Sequence, residues 1–176
     1  PFFLNIGRLD SGKNQAMLIK IIANLNDERA TLGILGKGPL QGELQNLIDE
    51  LGVSSRVKLL GTDKNPFKFI KKAQCFVCAS RFEGFSNVLL EALACERFIV
   101  STDHKSGARE LLGDDEYGIL TPVDDKKAME TAMRRALEDE NLRRDYEKRA
   151  HGCVVKFDKN AVAAQLIGYL EGENGE

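Results

Sequence analysis

Six short apolar runs, set apart by polar loops and by segments of helical period, restrict the fold of this chain more than any other feature. They are FFLNIG (2–7), ATLGIL (30–35), RVKLLG (56–61), QCFVCAS (74–80), RFIVST (97–102) and YGILTP (117–122). Runs of this length, rich in Ile, Val, Leu and Phe, read as strands. Their near-continuous apolarity means that both faces are buried, which is the pattern of a parallel sheet covered on both sides. The intervening segments supply the cover. In NQAMLIKIIANLN (14–26), Met17, Ile21, Ile22 and Leu25 form a helical stripe. LQGELQNLIDELG (40–52) stops at Gly52, NPFKFIKKA (65–73) is a short helix with Pro66 near its start, and SNVLLEALAC (86–95) is a fourth helix. Right-handed crossovers then give a doubly wound, Rossmann-like α/β domain. Helices over 124–139, 141–154 and 160–172 follow, so the domain is expected to span 1–170 with a frayed tail at 171–176.

A chain of 176 residues suffices for one domain with a substantial core. Its net charge of -2 supplies no global positive field for nucleic acid or an anionic membrane. No apolar run approaches the roughly 20 residues of a membrane span, and PFFLNIG lacks the marks of a signal peptide. Because the chain opens directly in a buried strand, it is expected to be part of something longer. Cysteines stand at 75, 78, 95 and 153. Cys75 and Cys78 form a CxxC inside a strand, where residues three apart point to opposite faces, so one metal ion cannot take both. Redox CxxC pairs open helices instead. Buried, reduced thiols and no metal site are the expectation, in keeping with a cytosolic compartment.

In doubly wound sheets ligands bind beyond the carboxyl ends of the strands. The loops at 7–13, 36–39, 61–65, 80–86 and 102–107 are therefore where a site should be sought. In RFEGFSNVLLEALA (81–94), Glu91 is the only charge on an otherwise apolar helix. A buried carboxylate there is costly without a partner, and sugar or ribose hydroxyls could supply one; an ion pair with Lys or Arg is the alternative. Glu83 lies in the preceding loop, Gly84 lets the chain turn, Ser86 is placed as the N-cap, and the amides at 86–88 would receive an anion. In NIGRLDSGKN (5–14), Arg8 and Lys13 offer positive charge at a helix start, as phosphate ligands or as solvated surface groups.

That loop also approximates a P-loop, Gly7-x-x-x-x-Gly12-Lys13, in the right strand-loop-helix context. Against this reading, Asn14 stands where a Ser or Thr would hold Mg²⁺, and no later strand ends in the metal-binding Asp. Gly36-Lys37-Gly38-Pro39 is a lone GxG that fits a simple strand-to-helix turn. Asp10, Asp63, Asp124 and Asp125 make no metal constellation, and 138–149 reads as an exposed, ion-paired helix face.

In order along the chain, NIGRLDSGKN, ILGKGPL, VKLLG, SRFEGFSNVLLEALA and YGILTPVDD resemble the C-terminal domain of the family 4 retaining glycosyltransferases of GT-B fold. The resemblance covers about Phe3 to Ala150, and its most specific mark is the Glu-x7-Glu pair, Glu83 and Glu91. It implies that Glu83 contacts the donor hexose and Glu91 the ribose. Backbone from Gly84 through Phe85, Ser86, Asn87 and Val88 would surround the sugar and diphosphate. Arg8 and Lys13, beside Gly7, would neutralise the departing diphosphate in place of a metal. Gly36 and Gly38 would let the chain pass close to the nucleotide, and Thr62 would border the base. The implied donor is a nucleotide-diphosphate sugar, UDP foremost, with no metal required. The acceptor, a glycan or lipid-linked sugar, would be held by an N-terminal domain absent here, and the implied setting is the cytoplasm or the cytoplasmic face of the inner membrane. The chain departs from the family pattern after LLEALAC, where Glu96 and Phe98 replace a glycine and a proline. A P-loop-like nucleotide-binding protein and a non-catalytic nucleotide-binding module remain alternatives.

Overall fold

In the computed structural model, which describes residues 2–84, 86–104 and 107–156, six strands form one sheet in the order β3-β2-β1-β4-β5-β6. The elements are β1 (Phe3–Ile6), α1 (Gln15–Asn24), β2 (Leu32–Leu35), α2 (Gln41–Glu50), β3 (Val57–Gly61), α3 (Phe67–Ile70), β4 (Cys75–Cys78), α4 (Asn87–Ala94), β5 (Phe98–Thr102), α5 (Ala108–Leu112), β6 (Ile119–Thr121), α6 (Lys126–Glu138) and α7 (Glu140–Lys156). Every pairing is parallel. The strand order reverses between β1 and β4, and such a switch point is where doubly wound folds place their ligands.

The apolar runs do what their composition requires. β2, β4 and β5 are buried at every residue, because helices cover both faces. Phe3, Cys75, Val77, Phe98 and Val100 join one core with α1, α2 and α6. Leu4, Phe76, Cys78 and Ile99 join a second core with α4 and α5. Cys75 and Cys78 thus lie on opposite faces of the sheet, as the strand geometry of the CxxC demands.

Two helix ends show how the turns are made. Gly52 takes φ +65°, with Gly52 N–H donating to Asp49 O at 3.0 Å and Val53 N–H to Ile48 O at 3.1 Å. This is the Schellman closure that a left-handed glycine permits. α4 closes in the same way, Glu96 N–H to Leu93 O at 2.8 Å and Arg97 N–H to Ala92 O at 3.0 Å, with Glu96 at φ +55°. The loss of the family glycine therefore strains the cap without abolishing it. α5 was not anticipated: ARELL is too short to display a period, and it sits between Gly107 and Gly113, at φ +94° and +62°. Phe85, the helix expected at 160–172 and the tail at 171–176 lie outside the described residues.

Candidate functional site

The ladder between β1 and β4 ends at Leu4↔Phe76, although both strands run two residues further. Beyond it, buried Asn5 donates through Nδ2 to Val77 O at 2.8 Å and ties the strands where their pairing has stopped. The loops that follow the two strands meet above this opening. Arg81 N–H donates to Gly12 O at 2.8 Å and Arg81 Nη1 to Ser11 O at 2.7 Å. Lys13 Nζ lies 2.8 Å from Glu83 Oε1. Two residues 70 positions apart, both singled out in the sequence, are thus brought together as an ion pair.

Glu83 is the best-connected carboxylate of the site. Its Oε1 also accepts from Ser80 Oγ at 2.5 Å, and its Oε2 accepts from Ser86 Oγ at 3.1 Å. Burial of the side chain, 9% exposed, pushes its pKa up, but hydrogen bonds from Lys13, Ser80 and Ser86 outweigh that and hold it below the ordinary carboxylate value. The Ser86 bond corrects one expectation. Ser86 stands at the N-cap of α4, yet its hydroxyl makes no capping bond to the helix and serves Glu83 instead. α4 still begins at the site, and its first-turn amides point past the helix end.

The β1–α1 loop is arranged differently from a P-loop. Asp10 Oδ1 accepts from Gly12 N–H at 3.0 Å and Lys13 N–H at 3.1 Å, filling amides that a P-loop would turn toward phosphate. Asn14 adopts the left-handed conformation, φ +52°, and donates through Nδ2 to Asp124 Oδ1 at 3.0 Å. β5 ends at Thr102, and the carboxylate of Asp103, the residue after it, is taken by Arg109. Arg8 extends from the same loop with 71% of its side chain exposed, and its ion pair to Asp10 at 3.6 Å is a weak surface contact.

Gly36 and Gly38 meet a backbone. A Cβ on Gly36 would sit 1.9 Å from Gly7 O, and one on Gly38 would sit 2.3 Å from Leu9 O. The 36–40 loop runs beside the 7–9 loop, joined by Gly7 N–H to Leu35 O at 3.0 Å, Leu9 N–H to Lys37 O at 3.1 Å and Leu40 N–H to Leu9 O at 3.1 Å. The absence of a side chain is thus required by chain-to-chain approach. Gly84 has open space around it, and Thr62 is exposed at the end of β3.

Glu91 corrects the argument that singled it out. α4 buries Leu89, Ala92 and Leu93, while Asn87 and Ala94 are exposed, and Val88 and Glu91 are half-buried. Among the described residues Glu91 has no ion pair, so its charge is tolerated by solvent rather than by a partner. It lies on the site-bearing helix, and Glu83 lies in the loop that precedes that helix. Sequence reasoning missed the Asn14–Asp124–Arg81 cluster, in which Arg81 Nε contacts both Asp124 oxygens at 2.9 and 3.1 Å. It also missed the approach of Cys78 and His104 to Glu83. No local pattern signals either, since both join loops far apart in sequence.

Residues 1–152 match the family of glycosyl transferases, group 1. The chain belongs to this family. It is 49% identical, over 97% of its length and 47% of the other's, to the N-acetylgalactosamine-N,N'-diacetylbacillosaminyl-diphospho-undecaprenol 4-alpha-N-acetylgalactosaminyltransferase of Campylobacter jejuni. It is 35% identical, over 93% of its length and 46% of the other's, to the GalNAc-alpha-(1->4)-GalNAc-alpha-(1->3)-diNAcBac-PP-undecaprenol alpha-1,4-N-acetyl-D-galactosaminyltransferase of the same organism. The group 1 chain therefore spans about half the length of these relatives. Its fold superposes on the crystal structure of Anabaena Alr3699/HepE in complex with UDP with a TM-score of 0.88, at 24% identity, covering 97% of this chain and 49% of that one. The six-stranded parallel sheet flanked by helices is that of GT-B glycosyltransferase domains.

Proposed function

We propose that this group 1 chain is the donor-binding half of a two-domain, retaining glycosyltransferase that takes a UDP-linked hexose or N-acetylhexosamine. The observation that carries the reading is the Lys13–Glu83 pair at the switch point of the sheet. Without donor, cation and carboxylate neutralise one another. With donor, Lys13 Nζ and the exposed guanidinium of Arg8 turn to the diphosphate, and the Glu83 carboxylate accepts from sugar hydroxyls. Ser80 and Ser86 keep Glu83 oriented through the exchange. Glu91 would receive the ribose hydroxyls, Gly84 would leave room for the sugar, and Thr62 would edge the base.

In the reaction the bond between the anomeric carbon and the diphosphate oxygen breaks through an oxocarbenium-like centre. An acceptor hydroxyl attacks the same face, its oxygen bonding to the anomeric carbon while its proton passes to the departing diphosphate oxygen. The chain's contribution is electrostatic: Arg8, Lys13 and the first amides of α4 stabilise the leaving charge without a metal cofactor. The acceptor and the exclusion of water belong to a second domain. The names of the Campylobacter relatives support a lipid-linked glycan as acceptor and hence work at the cytoplasmic face of the inner membrane. No helix among the described residues is long and apolar enough to cross a membrane; peripheral association of the full-length enzyme is part of the proposal.

The Asp10-filled loop speaks against the P-loop alternative, which requires those amides for phosphate. The test incubates the chain with UDP-sugars and acceptors, then with ATP and GTP, and follows products by mass spectrometry. The expected result is donor binding without transfer by this chain alone. Robust transfer contradicts the divided site, and steady hydrolysis of ATP or GTP contradicts the donor assignment. A full-length protein that binds donor but never transfers sugar would be a non-catalytic module.

A further inference from the structure

We propose that Cys78, Glu83 and His104 form a binding site for a soft divalent cation of the zinc class, and that its occupancy excludes the nucleotide sugar; the second part rests on the donor reading above. The three side chains arrive from separate places. Cys78 ends β4, Glu83 lies in the loop after it, and His104 lies just beyond β5. Cys78 and Ser101 are register partners, so the loops leaving β4 and β5 run side by side. One ligating atom from each residue, sulfur, carboxylate oxygen and ring nitrogen, lies within 4.8 Å of the other two.

Two observations point to a ligand. The Cys78 thiol donates to Glu83 Oε1 at an S···O distance of 3.6 Å, which is also close to the roughly 3.6 Å between S and O ligands of tetrahedral zinc with bonds of ~2.3 and ~2.1 Å, so a cation could replace the thiol proton with little movement. His104 is 1% exposed, and both its ring nitrogens lack a hydrogen-bond partner among the described residues. A buried imidazole with neither nitrogen satisfied is an uncommon and costly arrangement. A cation bound to the nitrogen that faces Cys78 and Glu83 would relieve half of it. The donor set of thiolate, imidazole and carboxylate is the borderline-soft mixture that selects zinc over magnesium or calcium, and three protein ligands leave a fourth position for water.

On binding, the Cys78 thiol releases its proton to solvent, so the thiolate and the Glu83 carboxylate balance the divalent charge while His104 coordinates as neutral imidazole. Lys13, 26% exposed, loses its partner and turns to water. The cation lies behind Glu83, among residues that are nearly wholly buried, whereas Arg8 and Lys13 stand on the solvent side. It therefore takes the carboxylate needed for the sugar without reaching the diphosphate, and it acts as an inhibitor.

The test titrates the metal-free 176-residue chain with Zn²⁺ against a chelating indicator, and with Co²⁺ followed by absorption. One equivalent should bind, with a thiolate-to-cobalt charge-transfer band. Cys78→Ser, nearly isosteric and so expected to fold, should abolish that band. His104→Ala should weaken binding by roughly tenfold or more, while Cys153→Ser leaves it unchanged; circular dichroism checks each fold. Absence of binding, or binding undiminished in Cys78→Ser, overturns the site. Excess UDP-sugar should raise the apparent Kd for Zn²⁺, and independent binding of the two overturns the exclusion. Zinc binding by a chain that ignores UDP would leave the cation site standing and remove the donor reading.

Discussion

Gly38→Ala should unfold the architecture of the site before it touches the nucleotide. A Cβ at position 38 would lie 2.3 Å from Leu9 O, 2.6 Å from Leu9 N and 2.7 Å from Leu9 C. All three are backbone atoms, so no side chain can rotate away, and the 36–40 and 7–9 loops must separate by about 1 Å to reach ordinary contact. The separation breaks two hydrogen bonds, Leu9 N–H to Lys37 O and Leu40 N–H to Leu9 O, both 3.1 Å. At about 1 kcal/mol net for each bond and about 1–3 kcal/mol for the overlap, the loss is about 3–5 kcal/mol. For a chain of this size that lowers Tm by roughly 6–20 °C. Gly42→Ala is the control. Gly42 lies in the first turn of α2 with nothing within 4 Å of a built Cβ, and alanine there should stabilise by about 0.5–1 kcal/mol. Urea and thermal unfolding of both variants, with UDP titration beside them, separate the roles. An unchanged Tm in Gly38→Ala with only UDP affinity lost would show that the glycine serves the ligand, and would refute the argument from chain approach.

Three other outcomes follow from the same geometry. Glu96→Gly should raise stability by about 0.5–1 kcal/mol, because a side chain at φ +55° is strained where glycine is not; an unchanged or lower urea midpoint contradicts this. Glu91→Ala should leave Tm unchanged, since its carboxylate is partly solvated, yet weaken UDP by about tenfold through loss of a charged hydrogen-bond partner; equal calorimetric affinity removes Glu91 from the site. Because Glu83 is held below its ordinary value of 4.5 in the fold, its contribution is fully present above that pH and lost as pH falls through the folded value. The urea midpoint should decline on acidification below about pH 4.5, and Glu83→Gln should flatten that decline; a variant as acid-sensitive as the parent refutes the linkage.

Strands were legible because burial on both faces leaves a contiguous apolar signature: all six runs became strands, each trimmed by one to three residues at its ends. α5 was not, since five residues between two glycines carry no period. At the site, Arg8, Lys13 and Glu83 were legible as polar residues placed just past strand ends, in loops the topology must bring together. Their pairing was not, because proximity of residues 13 and 83 is set by strand order alone. Ser86 was read by its local role as a cap, and its hydroxyl instead answers a stronger acceptor, the Glu83 carboxylate. Glu91 was read as buried from its apolar neighbours, although a helix on the sheet surface turns one side to solvent whatever its composition. His104 was invisible, as a lone histidine in a loop has no spacing to interpret.

Calorimetric titration of UDP into this chain in EDTA, with Arg8→Ala beside the parent, tests the central claim most directly. The Arg8 side chain is 71% exposed and, among the described residues, its ion pair is a 3.6 Å contact to Asp10, so its removal should not disturb the fold. UDP should bind the parent in EDTA, weakly, at a Kd on the order of 10⁻⁴ M. Arg8→Ala should weaken it further by about tenfold at an unchanged Tm. No binding by the parent, or binding that appears only when Mg²⁺ is restored, would contradict a donor site whose positive charge comes from Arg8 and Lys13.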